Sequence, residues 1–151
     1  GYLAANKEIG TACDKMQGQI TSATCSITQR AGIAAYEGGL ESVLKMKEAF
    51  ARRRTIVYDL LRDIPGIKTN LPAGAFYFFP DVSSFFNKTY NGNAITNSYE
   101  LCCYLLETAH VAVVSGDSFG DENCIRISYA ASEEKLTEAL RRIKKALAQL
   151  S

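Results

Sequence analysis

Histidine is nearly absent from this 151-residue chain, and Cys-x-x-Cys pairs are absent altogether. The one histidine is His110; the five cysteines are Cys13, Cys25, Cys102, Cys103 and Cys124. A single imidazole and no paired thiols cannot assemble a zinc site of the usual spacing. The odd cysteine count, without a disulfide-type pattern, reads as reduced thiols in a cytoplasmic protein. No apolar run approaches the roughly 20 residues that a membrane-spanning helix needs. No secretory leader is visible either, and the near-neutral charge balance argues against an acidic membrane as a partner. The net charge is only +1, which argues against nucleic acid as a partner. The one basic run, Arg52-Arg53-Arg54, lies inside an amphipathic helical pattern and reads as a solvated face. Phosphate loops, nucleophile–histidine triads and metal motifs are also missing. The chain opens on Gly1-Tyr2-Leu3-Ala4-Ala5, a strand-like apolar run with no initiating methionine. It reads as a segment cut from a longer protein.

What is present is an ordinary globular balance, 47% apolar and 22% charged residues, enough to build a core. Tyr2 to Ala5 reads as the end of a buried strand. Asn6 caps a helix over about Lys7–Gln17, with Glu8 as first-turn acid. Gly18 to Ser26 reads as a loop, and a second helix follows to about Tyr36. A long helix runs from about Leu40 to Asp63, with Val43, Met46, Phe50, Val57, Leu60 and Ile64 as its apolar stripe. Pro65-Gly66 ends it. Short strands are expected at Ile67–Thr69, Ala75–Phe79, Val111–Val114 and Cys124–Tyr129. Asp81–Asn97 reads as loop. Asn97 or Ser98 caps a helix to about Ala109. Ser132 caps a last helix whose stripe is Leu136, Leu140, Ile143, Leu147 and Leu150. The predicted fold is α/β: a small mixed or antiparallel sheet packed on helices.

Arg126 is the residue most suggestive of chemistry. It alternates with Ile125 and Ile127 on a strand, so its side chain faces away from the side they fill. A guanidinium there is either a fork for a planar carboxylate or phosphate, or one half of a surface salt bridge. The loop Ser115-Gly116-Asp117-Ser118-Phe119-Gly120 and the turn Pro72-Ala73-Gly74 each border a strand, where glycine permits close backbone approach. His110 reads as structural. None of the nine lysines stands in an apolar setting that would fit it for Schiff-base chemistry.

Four segments together resemble one family, the fold-type I, class I and II pyridoxal-phosphate-dependent aminotransferases. They are Gly1-Tyr2-Leu3-Ala4-Ala5, Pro72-Ala73-Gly74-Ala75-Phe76-Tyr77-Phe78-Phe79-Pro80-Asp81, Val111 through Gly120, and Cys124-Ile125-Arg126-Ile127-Ser128-Tyr129-Ala130. They occur in the family's order and spacing across essentially the whole chain, and most resemble its bacterial aspartate aminotransferase branch. The resemblance implies a small-domain-like fold for residues 40–151, with residues 1–39 a C-terminal remnant of the large cofactor-binding domain. It implies that Arg126 binds the substrate α-carboxylate and that Phe76 and the 116–120 loop border the pocket. Thr21 or Ser22 would meet the phosphate of pyridoxal phosphate bound by the neighbouring subunit of a homodimer. In the family the cofactor-bearing lysine, a phosphate-binding arginine and the aspartate that pairs with the pyridinium nitrogen precede the Gly-Tyr-Leu strand. The chain is therefore expected to hold no cofactor tightly and to be inactive alone. The parent is expected to exchange an amino group between an amino acid, aspartate foremost, and a 2-oxo acid. Kynurenine-, alanine- and aromatic-type substrates stay open, as does a non-catalytic binding module of the same fold. Ser115 departs from the family pattern, which has proline there.

Overall fold

The computed structural model describes residues 2–151; Gly1, the first residue of the Gly1-Tyr2-Leu3-Ala4-Ala5 segment, lies outside the described residues. The chain divides into two units, Gly1–Val43 and Leu44–Ser151.

The first unit contains α1 (Lys7–Thr21) and α2 (Ser26–Glu37). Asn6 starts α1 by accepting the Ile9 amide at 3.0 Å, which satisfies one of the donors left open at a helix N-terminus. The helix does not stop at Gln17. It continues through Gly18 to Thr21, whose hydroxyl engages the Gln17 side chain, so the loop shrinks to residues 22–25. One interior glycine weakens a helix by only about 1 kcal/mol, too little to end one. Neither α1 nor α2 buries a residue. Tyr2–Ala5 forms no strand and is exposed. Backbone N–H and C=O groups become a strand only against a partner, and none of the described residues pairs with this run.

The second unit is built on α3 (Glu41–Arg62) from Leu44 onward, followed by β1 (Tyr77–Phe78), β2 (Lys88–Tyr90) and β3 (Asn93–Ile95). Next come α4 (Ser98–Ala109), β4 (Val114–Ser115), β5 (Ile125–Ser128) and α5 (Glu133–Leu147). β5 is the centre of a three-stranded antiparallel sheet ordered β1-β5-β4. Tyr77 pairs with Ser128 on one side, and Val114 with Arg126 on the other. The fold is thus α/β with a small sheet on helices, and the sheet is antiparallel rather than mixed.

The core follows the apolar stripes where they have something to pack against. All five stripe residues of the last helix, Leu136, Leu140, Ile143, Leu147 and Leu150, are buried. Each contributes on the order of 1.5–3 kcal/mol of burial. Ser132 caps α5 through the Lys135 amide at 3.4 Å, and Asn97 caps α4 through the Glu100 amide at 2.9 Å. His110 closes α4 in the left-handed conformation (φ 54°), its amide bonded to the Leu105 carbonyl. That role is structural, as expected. Phe78 and Tyr129 meet in the core at 5.5 Å between ring centroids. The Tyr129 hydroxyl donates to the Ala75 carbonyl at 2.9 Å.

Several expectations need correction. In α3 the stripe is sealed only toward its C-terminal end, at Val57 and at Ile64 just beyond the helix; Phe50 and Leu60 are partly buried, and Val43 and Met46 are about half exposed. The basic run is not a fully solvated face either. Arg53 lies over the Phe50 ring at 5.4 Å, and Arg54 donates to the Pro72 carbonyl at 3.1 Å. Ile67–Thr69 reduces to one bridge, Lys68 to Asp81. Ala75–Phe79 is strand only at Tyr77–Phe78, because Ala75 sits at φ 61°. The valine run yields just Val114–Ser115, and Val114 is partly exposed. The expected loop at Asp81–Asn97 contains a hairpin, β2–β3. It turns on Asn91-Gly92 with φ 50° and 81°, the pair of positive values that an Asn-Gly hairpin turn requires.

Candidate carboxylate site

Strand β5 places Arg126 between two buried isoleucines, Ile125 and Ile127, and turns its side chain to the opposite face, where it is half-buried. Cys124, expected on that outer face, is buried instead. It precedes the regular part of the strand, and its amide bonds to the Asp121 carbonyl.

The register brings aromatic residues to Arg126. Tyr77 lies opposite Ser128, two residues along from Arg126, and is therefore its diagonal neighbour on the same face. The guanidinium carbon is 5.6 Å from the centroid of the Tyr77 ring and 4.3 Å from that of Phe119. Phe119 comes from the loop after β4 and meets Phe79 edge-on at 6.4 Å. One ring thus comes from the β1 edge of β5 and the other from beyond its β4 edge.

That loop is held firmly. Asp117–Phe119 forms a short 3-10 turn, closed by the Phe119 amide on the Gly116 carbonyl at 2.8 Å. Gly116 has no room for a side chain: a Cβ there would lie 2.1 Å from the Asp121 carbonyl oxygen and 2.5 Å from that of Cys124. Ser115 bonds through its hydroxyl to the Ser98 hydroxyl at 2.9 Å, and Ser98 is fully buried at the start of α4. A side-chain hydrogen bond therefore restrains the backbone at a position where the family pattern has the fixed φ of proline.

Five other cations of the second unit have carboxylates. Glu138 takes Arg141 at 2.8 Å and Arg142 at 2.7 Å, which pulls its carboxyl down to about 2. Arg52 meets Glu133 at 3.4 Å, Lys68 meets Asp81 at 3.5 Å, and Lys144 meets Asp63. Among the described residues Arg126 has no such partner. A half-buried guanidinium faced by rings and unmatched by a protein carboxylate suits an incoming anion, and its fork suits a carboxylate.

The remaining expected site residues fall in two places. Phe76 stands next to Tyr77 in the second unit, exposed, its ring edge-on to Tyr77 at 5.9 Å. Thr21 and Ser22 are exposed in the first unit, at the end of α1, with Ser22 at φ 66°. No lysine or arginine occurs in residues 18–26, so these hydroxyls fit an auxiliary phosphate contact, not the main charge pairing. Among the described residues no cluster of potential metal ligands exists, and no helix is long and apolar enough to cross a membrane. Tyr77 and the Phe119 side chain, the ring partners of Arg126, are not marked as such by the sequence. Strand alternation marks Tyr77 and Phe79 as sharing a face, but the meeting of Tyr77 with Arg126, and of Phe79 with Phe119, depends on register.

A small antiparallel sheet on helices, with an outward arginine on its central strand, defines a compact α/β module. The chain belongs to the class I and II aminotransferase family, whose model matches residues 1–143. It is 48% identical to the bifunctional aspartate aminotransferase and glutamate/aspartate-prephenate aminotransferase of Petunia hybrida, over 97% of this chain and 32% of that protein. It is 42% identical to an aspartate aminotransferase of Rhizobium meliloti, over 100% of this chain and 37% of that one. The crystal structure of a Rhizobium meliloti aspartate aminotransferase superposes with a TM-score of 0.89 at 41% identity, covering 95% of this chain and 36% of the other. One from Thermotoga maritima gives 0.83 at 33% identity, over 98% and 35%. The chain spans about a third of the length of the relatives it matches.

Proposed function

We propose that this chain is the C-terminal part of a cytoplasmic, homodimeric, pyridoxal-phosphate-dependent aminotransferase that exchanges an amino group between aspartate and a 2-oxo acid. The observation that carries the reading is Arg126: outward on β5, without a protein carboxylate among the described residues, and faced by aromatic rings. Residues 40–151 are the small domain and residues 1–39 the end of the large one. Arg126 binds the α-carboxylate through two parallel charge-assisted hydrogen bonds, which fixes the orientation of the substrate carbon that reacts. Phe76 and the 116–120 loop wall the pocket and displace water from it. The hydroxyl of Thr21 or Ser22 touches the phosphate of the cofactor held by the neighbouring subunit. When bound, the cofactor supplies the electron sink, and the protein supplies orientation and electrostatics.

No lysine here is proposed as the cofactor's anchor. Lys88 is half-buried and the other eight are exposed, whereas a Schiff-base lysine is activated by desolvation or a neighbouring cation. The chain by itself is accordingly inactive and should release pyridoxal phosphate on dialysis, leaving no visible absorption band. The test of the function is amino transfer from aspartate to 2-oxoglutarate by the full-length, cofactor-loaded protein. Steady formation of oxaloacetate and glutamate is expected. If neither aspartate nor alanine, kynurenine or an aromatic amino acid were turned over, the segment would instead belong to a non-catalytic binding module.

A further inference from the structure

Arg126 carries a flexible side chain, and holding a guanidinium in one plane costs conformational freedom. Something on the protein must set that plane before a carboxylate arrives if the fork is to meet it squarely. We propose that Tyr77 and Phe119 are positioning residues that clamp the Arg126 guanidinium and aim its N–H edge at the substrate carboxylate. This inference rests on the carboxylate role of Arg126 proposed above.

The geometry supports a clamp in three ways. The guanidinium carbon lies over both rings, 5.6 Å from the Tyr77 centroid and 4.3 Å from that of Phe119, within the range of a cation–π contact. Contacts to ring faces take up none of the guanidinium's N–H groups in conventional hydrogen bonds, so those groups stay free to donate. The rings are themselves held: Tyr77 by strand pairing to β5, Phe119 by the short turn after Gly116 and by the edge of Phe79. Gly116 and Ser115 thereby act on Arg126 at one remove. Gly116 lets the loop close against the 121–124 backbone, and Ser115 ties it to buried Ser98. Phe119 is about half exposed, so its packing alone is a weak reason for an aromatic there.

Two measurements on one set of variants decide the matter. In the 151-residue chain, the ring current of Phe119 should shift the Arg126 Nε–H and Cδ-proton NMR signals upfield. Phe119→Leu should return them toward ordinary arginine positions, while Phe119→Tyr should keep them shifted. In the full-length, cofactor-loaded protein, Phe119→Leu should raise KM for aspartate by about 5- to 20-fold and leave kcat within about threefold. Phe119→Tyr and Tyr77→Phe should restore near-normal KM. If Arg126→Ala impairs kcat/KM but Phe119→Leu moves neither KM nor the Arg126 signals, the clamp is wrong and the carboxylate role stands. If Phe119→Tyr fails as badly as Phe119→Leu while the protein stays folded, ring character is irrelevant and the clamp is again wrong. If Arg126→Ala itself leaves kcat/KM unchanged, the carboxylate role fails and the proposal falls with it.

Discussion

The two units of this chain contain helices of similar make and very different burial. α1 and α2 carry Ile9, Met16, Ile20, Ile27, Ile33 and Tyr36, all substantially exposed. α4 and α5 bury Leu101, Leu105, Leu136, Leu140, Ile143 and Leu147. Asn6 caps α1 as well as Asn97 caps α4. The difference is therefore not in local helix-forming signals but in the presence of a partner surface. Caps and propensity make a helix possible; burial of its apolar face supplies most of the stability. A chain that spans about a third of its relatives shows both situations side by side.

The largest consequence is in dynamics. Hydrogen exchange should show amides of β5, α4 and α5 protected at least about 10⁴-fold more than those of α1 and α2, since protection follows the local cost of opening. Equal protection in α1 and α5 would break the comparison. Stability should divide in the same way. Leu101→Ala removes a fully buried side chain from α4 and should cost about 2–5 kcal/mol in urea unfolding. Ile20→Ala, at a site 74% exposed, should shift the same transition by no more than about 0.5 kcal/mol. A large loss from Ile20→Ala would mean that α1 is packed in solution.

Thiol chemistry sharpens the contrast at a smaller scale. Burial pushes the Cys102 thiol up to about 11, with Cys103 and Asp117 adding to it; burial and then the Asp121 carboxylate do the same for Cys124. The amides of Ile27 and Thr28 instead lower that of exposed Cys25. A raised pKa means less thiolate at a given pH, and two pH units mean about a hundredfold less. At pH 8 an alkylating reagent should modify Cys25 first and Cys102 and Cys124 last, at least about 100-fold more slowly. The gap should narrow as pH rises toward 11. Equal rates for Cys25 and Cys102 would show that the second unit opens freely.

Much of the second unit was legible in the sequence because its signals are local. The α5 stripe, the Asn97 and Ser132 caps, and the outward face of Arg126 all follow from spacing alone. The Asn91-Gly92 hairpin was equally legible, yet the polar composition around it reads as loop. Other features were not local. Val43 and Met46 continue the α3 stripe but are not sealed by any of the described residues. Tyr2–Ala5 has strand composition without a pairing edge. The approach of Phe119 to Arg126 depends on a turn whose tightness comes from the missing side chain of Gly116 meeting the 121–124 backbone. A contact that long-range register creates cannot be read from either segment by itself.

The carboxylate role proposed for Arg126 is tested directly by one substitution. Removing one partner of a desolvated charge pair typically costs about 2–5 kcal/mol, and each 1.4 kcal/mol is about tenfold. In the full-length, cofactor-loaded protein, Arg126→Ala should lower kcat/KM for aspartate by roughly 30- to several-thousand-fold, with cofactor content unchanged. Arg126→Lys should lose less, since a point charge replaces the fork. Near-normal kcat/KM in Arg126→Ala, or loss of the cofactor from a folded protein, would contradict the assignment and make Arg126 a structural residue.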